Sequence, residues 1–565
     1  MRHSLLVCLI GATPHYAALN LLQAQTLPDA GAIRQQIEQG RPPALPQQQI
    51  PALPTESPGA PASSGVVVKL SAFRFSGNTR ISSEQLQAAL AGYVNQTLDY
   101  NQLQNAAALV AELYRSSGWV VRTYLPEQDI VNGVVTIQVV EAIFGGVRTE
   151  GAAPKRASPA QIQDIVTAQQ KVGELLNADA LDRALLLAYD LPGVRVSGSL
   201  REGSQANQTD LVLRLADALL LSGDVMLDNS GNRSTGAERL SANLNLNGAL
   251  ALGDLWSGNF IHSEGSDYLR VGATVPLGPY GWRVGINTSG LRYQLVLNEF
   301  APLKARGTSD STGLEASYPL IRARLRNLYF SLNADHKAYD NQANGAVSSH
   351  YSSDTLSLAL WGNAMDTLGG GGANNVNLSY TSGQLNLDGS PNRGADSIST
   401  RTEGRFSKLR YSASRQQVLS DAVSAYAALS GQWAGKNLDS SEKFYLGGAS
   451  GVRAYPSNEA GGAEGQLFTM ELRWRLLQGF QASAFYDVGM VSANHNNHYA
   501  GAPMFNESHL KGAGLSLAWF GNSGAALKAT WAQRSGDNPN ATANGNDQDG
   551  SKVLDRFWLT ASLPF

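Results

Sequence analysis

From residue 217 to the C-terminus the chain alternates between two kinds of side chain, and this period of two constrains the fold more than anything else in it. Leu240, Ala242, Leu244 and Leu246 interleave with Ser241, Asn243, Asn245 and Asn247. Leu269, Val271, Ala273 and Val275 interleave with Tyr268, Arg270, Gly272 and Thr274. Phe468, Met470, Leu472, Trp474 and Leu476 interleave with Thr469, Glu471, Arg473 and Arg475. Successive side chains of a strand point to opposite faces, so each segment has one apolar and one wet face. Sixteen such segments can be drawn, near 218–228, 237–248, 252–263, 266–276, 279–293, 308–319, 326–340, 349–363, 374–384, 400–414, 418–433, 464–477, 480–491, 508–521, 524–534 and 552–565. A soluble sandwich would carry more charge on its outer side. Charged residues are only 16% of the 565, and glycines number 58, which suits a lipid face, a wet lumen and many turns. A sheet with its apolar face in lipid cannot leave an edge open, because unpaired backbone groups are costly there, so it closes. The expectation is a membrane all-β fold, a sixteen-stranded transmembrane β-barrel over residues 217–565.

Ahead of the barrel the texture changes several times. Met1-Arg2-His3, an apolar run and a small residue near Ala24 read as a signal peptide over 1–24. Cys8, the single cysteine, lies inside it, leaving the mature chain without disulfide or thiol chemistry. Residues 25–41 hold a short helix with Asp29 as N-cap and Gly40 then Pro42 as stops. Only Ile33 and Ile37 share an apolar face, so this helix needs a partner surface or a pore to sit in. Residues 42–65 carry prolines at 42, 43, 46, 51, 54, 58 and 61, an extended Pro-rich linker. Residues 66–145 and 146–216 each read as strand, helix, helix, strand, strand. In the first unit the strands are expected at 67–75, 119–125 and 134–144, and the helices begin at the Ser82/Gln85 capping box and at Asp99. In the second, a strand near Val147 precedes helices at 159–169 and 178–190 and strands at 194–201 and 211–216. Two copies of this order resemble POTRA domains, periplasmic α+β modules that receive chains along strand edges.

The irregular run 447–466 (GGASGVRAYPSNEAGGAEGQ) cannot be regular helix or strand and joins the eleventh and twelfth strands within a loop over 434–463. Parity on the thirteenth strand turns Gln481, Ser483, Phe485, Asp487 and Gly489 to the lumen. An Arg carried inward could meet Asp487 bidentately. Glu471 and Arg473 on the twelfth strand also face inward, and could pair together or compete for the same Arg. The core Val452-Arg453-Ala454-Tyr455-Pro456 resembles the VRGYP motif of the two-partner-secretion outer-membrane transporters, with Ala454 where Gly is usual. Gly431 to Ala434, Lys436 to Glu442, Asp228-Asn229, Gly231, Thr235-Gly236 and the F-x-D-x-G of Phe485, Asp487 and Gly489 resemble the same family. The resemblance implies that Arg453 locks onto the barrel wall beside Phe485, Asp487 and Gly489. It also implies that the helix of Ile33 and Ile37 plugs the pore. The last strand, with Phe557, Leu559, Leu563 and Phe565 on one face, resembles the C-terminal signal read by the barrel assembly machinery.

These readings lead to an outer-membrane translocator that captures a large exoprotein with its POTRA domains and exports it without ATP. The partners expected are that exoprotein, outer-membrane lipid and the assembly machinery, with the transporter itself a monomer. An assembly factor of the same superfamily is the alternative. A net charge of −3 gives no sign of nucleic-acid binding. No catalytic set and no cofactor motif stands out: Ser450 lacks nucleophile-elbow spacing, and Gly369 to Gly372 lacks the Lys of a phosphate loop. His495 and His498 lie in a loop, and 544–550 (NGNDQDG) lacks the downstream Glu of a Ca²⁺ loop, so both read as surface loops.

Overall fold

The computed structural model describes residues 28–39 and 67–565. The signal peptide (1–24) and the Pro-rich linker (42–65) lie outside the described residues. Helix α1 (Ala30–Gln39) is followed by two α/β units and a closed barrel.

The first unit comprises β1 (Val67–Lys69), β2 (Ala72–Ser76), α2 (Ser83–Ala89), β3 (Thr97–Asp99), α3 (Tyr100–Ser116), β4 (Val121–Tyr124) and β5 (Val134–Glu141). Ser82 and Asp99 both complete capping boxes, with Gln85 and Gln102 reaching back to the cap amides. One apolar face of α3, with Leu103, Ala106, Ala107, Val110 and Tyr114, is buried against the three-stranded sheet β2-β5-β4. The strand expected over 67–75 is two strands, because β1 leaves the sheet to pair with β3. The strand expected over 134–144 is also two. Ile143 and Phe144 open β6 (Ile143–Glu150), which pairs in parallel with a strand of the second unit. The boundary between units therefore falls at Ala142 rather than after residue 145. The second unit continues with α4 (Pro159–Gln169), α5 (Ala178–Tyr189), β7 (Val194–Glu202) and β8 (Gln208–Asp217), in the sheet order β6-β8-β7. Backbone bonds stitch the units together: Val120 N to Leu176 O at 3.1 Å, Leu176 N to Ala142 O at 2.7 Å and Ala178 N to Gly118 O at 2.8 Å.

The barrel wall runs β9 (Leu221–Asp228), β10 (Arg239–Asn247), β11 (Leu255–Ser263), β12 (Ser266–Leu277), β13 (Trp282–Gln294), β14 (Arg306–Arg322), β15 (Arg326–Ala343), β16 (Ala346–Asp366), β17 (Gly372–Asn386), β18 (Gly404–Val418) and β19 (Val423–Ala434). A small hairpin, β20 (Phe444–Leu446) with β21 (Ala460–Gly462), intervenes without joining the wall. The wall resumes with β22 (Glu464–Arg475), β23 (Phe480–Ser492), β24 (Glu507–Phe520), β25 (Ala526–Arg534) and β26 (Asp555–Pro564). All sixteen expected wall strands are present, each paired antiparallel with its neighbours, and β26 closes on β9. That seam pairs only Thr560 to Pro564 with Asp228 to Asp224. Asn229 extends it through its side chain, donating to Phe557 O at 2.9 Å and accepting from Leu559 N at 2.8 Å. Phe557, Leu559, Leu563 and Phe565 stand exposed on the outer face, as parity required.

Glu141 ties the first unit's helices to its sheet, accepting from Thr79 N at 2.7 Å, Arg80 N at 2.9 Å and Tyr114 Oη at 2.8 Å, and from the Thr79 hydroxyl. Burial alone would raise its pKa, but the Thr79, Arg80 and Tyr114 donors outweigh it and hold the carboxyl below its usual range. The stabilisation is thus complete at neutral pH and lost as pH falls through that depressed value. Glu141→Gln should speed hydrogen exchange at the Thr79 and Arg80 amides about tenfold at pH 7, read by mass spectrometry. Unchanged exchange would remove this role.

Candidate functional site

The loop over 434–463 folds back from the rim opposite the α/β units and enters the lumen. Its tip is held by one guanidinium. Arg453 donates from Nε to Asp487 Oδ2 at 2.8 Å and from Nη2 to Oδ1 at 2.8 Å, while its backbone N reaches the same carboxylate at 3.1 Å. Nη1 donates to Glu471 Oε1 at 2.7 Å, and the guanidinium lies 3.4 Å from the centre of the Phe485 ring. Thr469 Oγ1 donates to Asp487 at 2.9 Å, and Trp558 Nε1 to the Arg453 carbonyl at 2.7 Å. Asp487 has no exposed surface. Both alternatives left open by parity occur together: Glu471 takes Arg453 on one oxygen and Arg473 Nε on the other, at 2.7 Å. Such a charge-assisted, bidentate pair is strong when dry, and removing one partner strands the other.

Shape matters as much as charge. Val452, Ala454 and Tyr455 are fully buried, in one apolar cluster with Phe444, Leu446, Phe485 and Val491. A Cβ on Gly489 would lie 2.9 Å from Leu446, and one on Gly512 would lie 2.4 Å from the Ala454 methyl. The departure from the usual motif is therefore met by a missing side chain on the wall. Ala454 is not among the residues with positive φ, so nothing in its backbone calls for Gly. Pro456 is buried beside it.

The reading of 544–550 as a surface loop holds for Asn544 and Gly545, which are exposed, and fails for the two aspartates. Asp547 and Asp549 are buried, Asp547 pairing with Arg534 at 2.6 Å and Arg556 at 2.9 Å, and Asp549 with Arg556 at 3.2 Å. This segment, between β25 and β26, clasps the lumenal loop: Gln548 N and the Asn538 side chain both donate to Glu459, the former at 2.9 Å. Alternating Asn, Asp and Gly look like a solvated turn because their arginine partners come from two other elements. His495, by contrast, pairs with Glu464 at 3.0 Å, and no metal-ligand cluster occurs among the described residues.

Helix α1 lies inside the barrel, against β13, β14, β15 and the base of the lumenal loop. Asp29 accepts from Ala32 N at 2.8 Å, as an N-cap, and from Ser440 Oγ at 2.8 Å. Ile33 is buried among Tyr268, Tyr293, Tyr339 and Tyr351, with Ile37 half-buried beside the same cluster. Sequence reasoning missed Arg34, the one cation of the helix, which is buried. It donates to Ser309 Oγ at 3.0 Å, Ser289 Oγ at 2.7 Å and Glu38 at 2.8 Å. Its partners are ordinary lumen serines on β13 and β14, which no local pattern singles out. Gln35 and Gln39 donate to the carbonyls of Lys443 and Tyr445, each at 3.1 Å, and Lys337 stands between Glu38 and Glu442. Helix and loop thus brace one another.

Residues 207–518 match the family model described as haemolysin secretion/activation protein ShlB/FhaC/HecB, and residues 68–142 match the ShlB-type POTRA domain. The chain belongs to this family. It is an outer-membrane transporter of the two-partner secretion type, with its POTRA domains in the periplasm. The heme/hemopexin transporter protein HuxB of Haemophilus influenzae strain 86-028NP is 26% identical over 454 residues, 78% of this chain and 79% of the relative. The outer membrane transporter CdiB of Dickeya dadantii is 26% identical over 476 residues, covering 83% and 81%. Among solved structures, CdiB from Escherichia coli superposes with a TM-score of 0.65 at 23% identity, over 91% of this chain and 93% of that one. BamA from Haemophilus ducreyi lacking POTRA domains 1–3 gives 0.54 at 14%, over 88% and 100%.

Two predictions follow from the lumen. Arg34→Ala removes three hydrogen bonds from a buried cation, together worth about 2 kcal/mol or more. The plugged state should lose at least tenfold in occupancy, read as more frequent large openings in planar bilayers, and unchanged conductance would place the anchor elsewhere. At the extracellular mouth, burial, reinforced by Asp547 and Asp549, pushes the Glu459 carboxyl up to about 8 against the Asn538 and Gln548 donors. A raised acid favours the docked loop when protonated, so docking weakens as pH rises from about 5 towards 8. Openings should be more frequent at pH 8.5 than at pH 5.5, and Glu459→Gln should flatten the difference.

Proposed function

We propose that this transporter takes a large exoprotein from the periplasm as an extended chain and passes it through the lumen once α1 and the loop tip have moved aside. What carries this reading is that the lumen is filled by two elements held through side chains, while the wall strands pair with one another all the way round the barrel. Both can therefore leave without opening the barrel. The three-stranded POTRA sheets leave the outer edges of β2 and β4 in one and of β7 in the other without a neighbouring strand, while the start of β6 bonds to residues 173–175; the open edges support capture of a client by backbone pairing alone. The client is of the haemolysin, adhesin or contact-dependent toxin kind. Without a nucleotide motif, net movement is drawn by folding of the client outside, with no catalytic step and no cofactor. The transporter acts as a monomer, delivered to the membrane by the barrel assembly machinery reading Phe557, Leu559, Leu563 and Phe565.

Arg453→Ala strands the buried Asp487 carboxylate, a cost of roughly 3–5 kcal/mol that frees the loop tip. Release of a co-expressed exoprotein should fall tenfold or more while heat-modifiability reports the same amount of folded barrel. Arg453→Lys cannot make the bidentate contact and should restore little. Undiminished release from Arg453→Ala would sink the reading of the loop.

A further inference from the structure

On the outer face of the barrel, one stretch of the border between apolar and polar side chains is shaped into a cleft. Across β14 to β18, Thr312 stands opposite His336, His336 opposite Asp354, Asp354 opposite Gln384 and Gln384 opposite Arg405. All five are exposed and point outward, because the next residue on each strand (Gly313, Lys337, Thr355, Leu385 and Phe406) is buried on the lumen side. The next outward row towards the periplasm runs Leu314, Ala334, Leu356, Ser382, and the one after it Ala316, Leu332, Leu358, Tyr380, Leu409. The border between hydrocarbon and headgroups therefore falls between the first two rows. Those two rows line one open cleft of about 560 Å³. Within it Ala334 leaves a trough between Leu314 and Leu356, and Ser382 with Ser407 leaves a wider one beyond Leu356.

The polar row has donors to spare. His336 Nδ1 lies 2.7 Å from Asp354 Oδ1, which fixes the ring and leaves Nε2 without a protein partner. As the imidazolium it donates from both nitrogens, one to Asp354 and one outward. The side chains of Arg405, Gln384 and Thr312 make no hydrogen bond or ion pair among the described residues. Arg405 and His336 are three strands apart, about 14 Å along the row. Arginine and an imidazolium at that separation, above two apolar troughs, suit a lipid that carries two phosphates rather than one. Depth selects the leaflet. Arg405 is the second residue of β18, whose other end lies towards the periplasm, so the cleft faces the outer leaflet. The lipid of that leaflet is an acylated glucosamine disaccharide with a phosphate at each end, a span of the same order as the row.

We propose that this cleft is a binding site for lipid A, with one phosphate on Arg405 and the other on His336 Nε2. Gln384, Thr312 and the free oxygen of Asp354 take the sugar hydroxyls and amides between them, and acyl chains lie in the troughs over Ala334 and Ser382. The site is on the lipid face, apart from the lumen, so it stands independently of the export reading.

The test titrates the full-length protein in detergent with hexa-acylated, 1,4′-bisphosphorylated lipid A and follows the adducts by native mass spectrometry. A one-to-one adduct should form, bind at least tenfold more tightly than the monophosphorylated lipid, and persist in an equimolar amount of phosphatidylglycerol. No adduct, equal affinity for the monophosphorylated lipid, or displacement by phosphatidylglycerol each overturns the proposal, and none of these arms depends on a variant. The double change Arg405→Ala, His336→Ala alters two exposed side chains and should leave heat-modifiability intact while weakening the adduct at least tenfold. An undiminished adduct in that variant also overturns the proposal.

Discussion

In hydrocarbon no backbone N–H or C=O can go without a partner, and every other feature of this protein depends on that rule. It forces sixteen strands into one closed ladder and makes the short β26–β9 seam tolerable only because the Asn229 side chain and the C-terminal residue add bonds at its two ends. A wall that satisfies itself is free to hold something else inside. The lumen is consequently lined by side chains available for pairing, and both α1 and the lumenal loop are bound to them rather than woven into the sheet.

The contrast between wall and contents explains where the charges sit. Arg453 with Asp487 and Glu471, Arg34 with Glu38, and Lys337 with Glu442 are all sheltered from bulk water. An ion pair of this kind contributes little net stability against an apolar alternative, because desolvation offsets the attraction. It does penalise any arrangement in which one partner is left alone. Contacts of that kind hold a mobile element in one defined place and still let it exchange partners. Glycines at 489 and 512 perform the complementary task of admitting Leu446 and Ala454 against the wall.

Much of this was legible from residue pattern. The period of two located every wall strand, since lipid on one side and water on the other impose it on each strand separately. Asp487 could be assigned to the lumen by counting along β23 alone. Two errors in the POTRA region came from reading continuous apolar runs as continuous strands. Between Glu141 and Ile143 nothing in the side chains marks the change of sheet, since Val139 and Phe144 are equally apolar and equally buried. Asp547 and Asp549 were misread for the opposite reason, because they resemble part of a solvated turn until Arg534 and Arg556 arrive from neighbouring strands.

By itself the sequence determined the barrel, the strand count, the inward face of each strand, the pair of α+β units and the motif residues of the loop. These follow from local periodicity and local turn chemistry, which operate over a few residues. Only the tertiary structure decided that Arg34 anchors the helix, that Glu471 bridges two arginines, that Asp547 clasps the loop and that Arg322 and Arg324 pair with Asp190 and Asp182 of the second POTRA unit. Each of those depends on a contact between different elements of the chain, brought together by closure of the barrel, by the loop's return into it and by docking of the second POTRA unit. Closure sets which wall positions face one another across the lumen, and no spacing within a single strand carries that information.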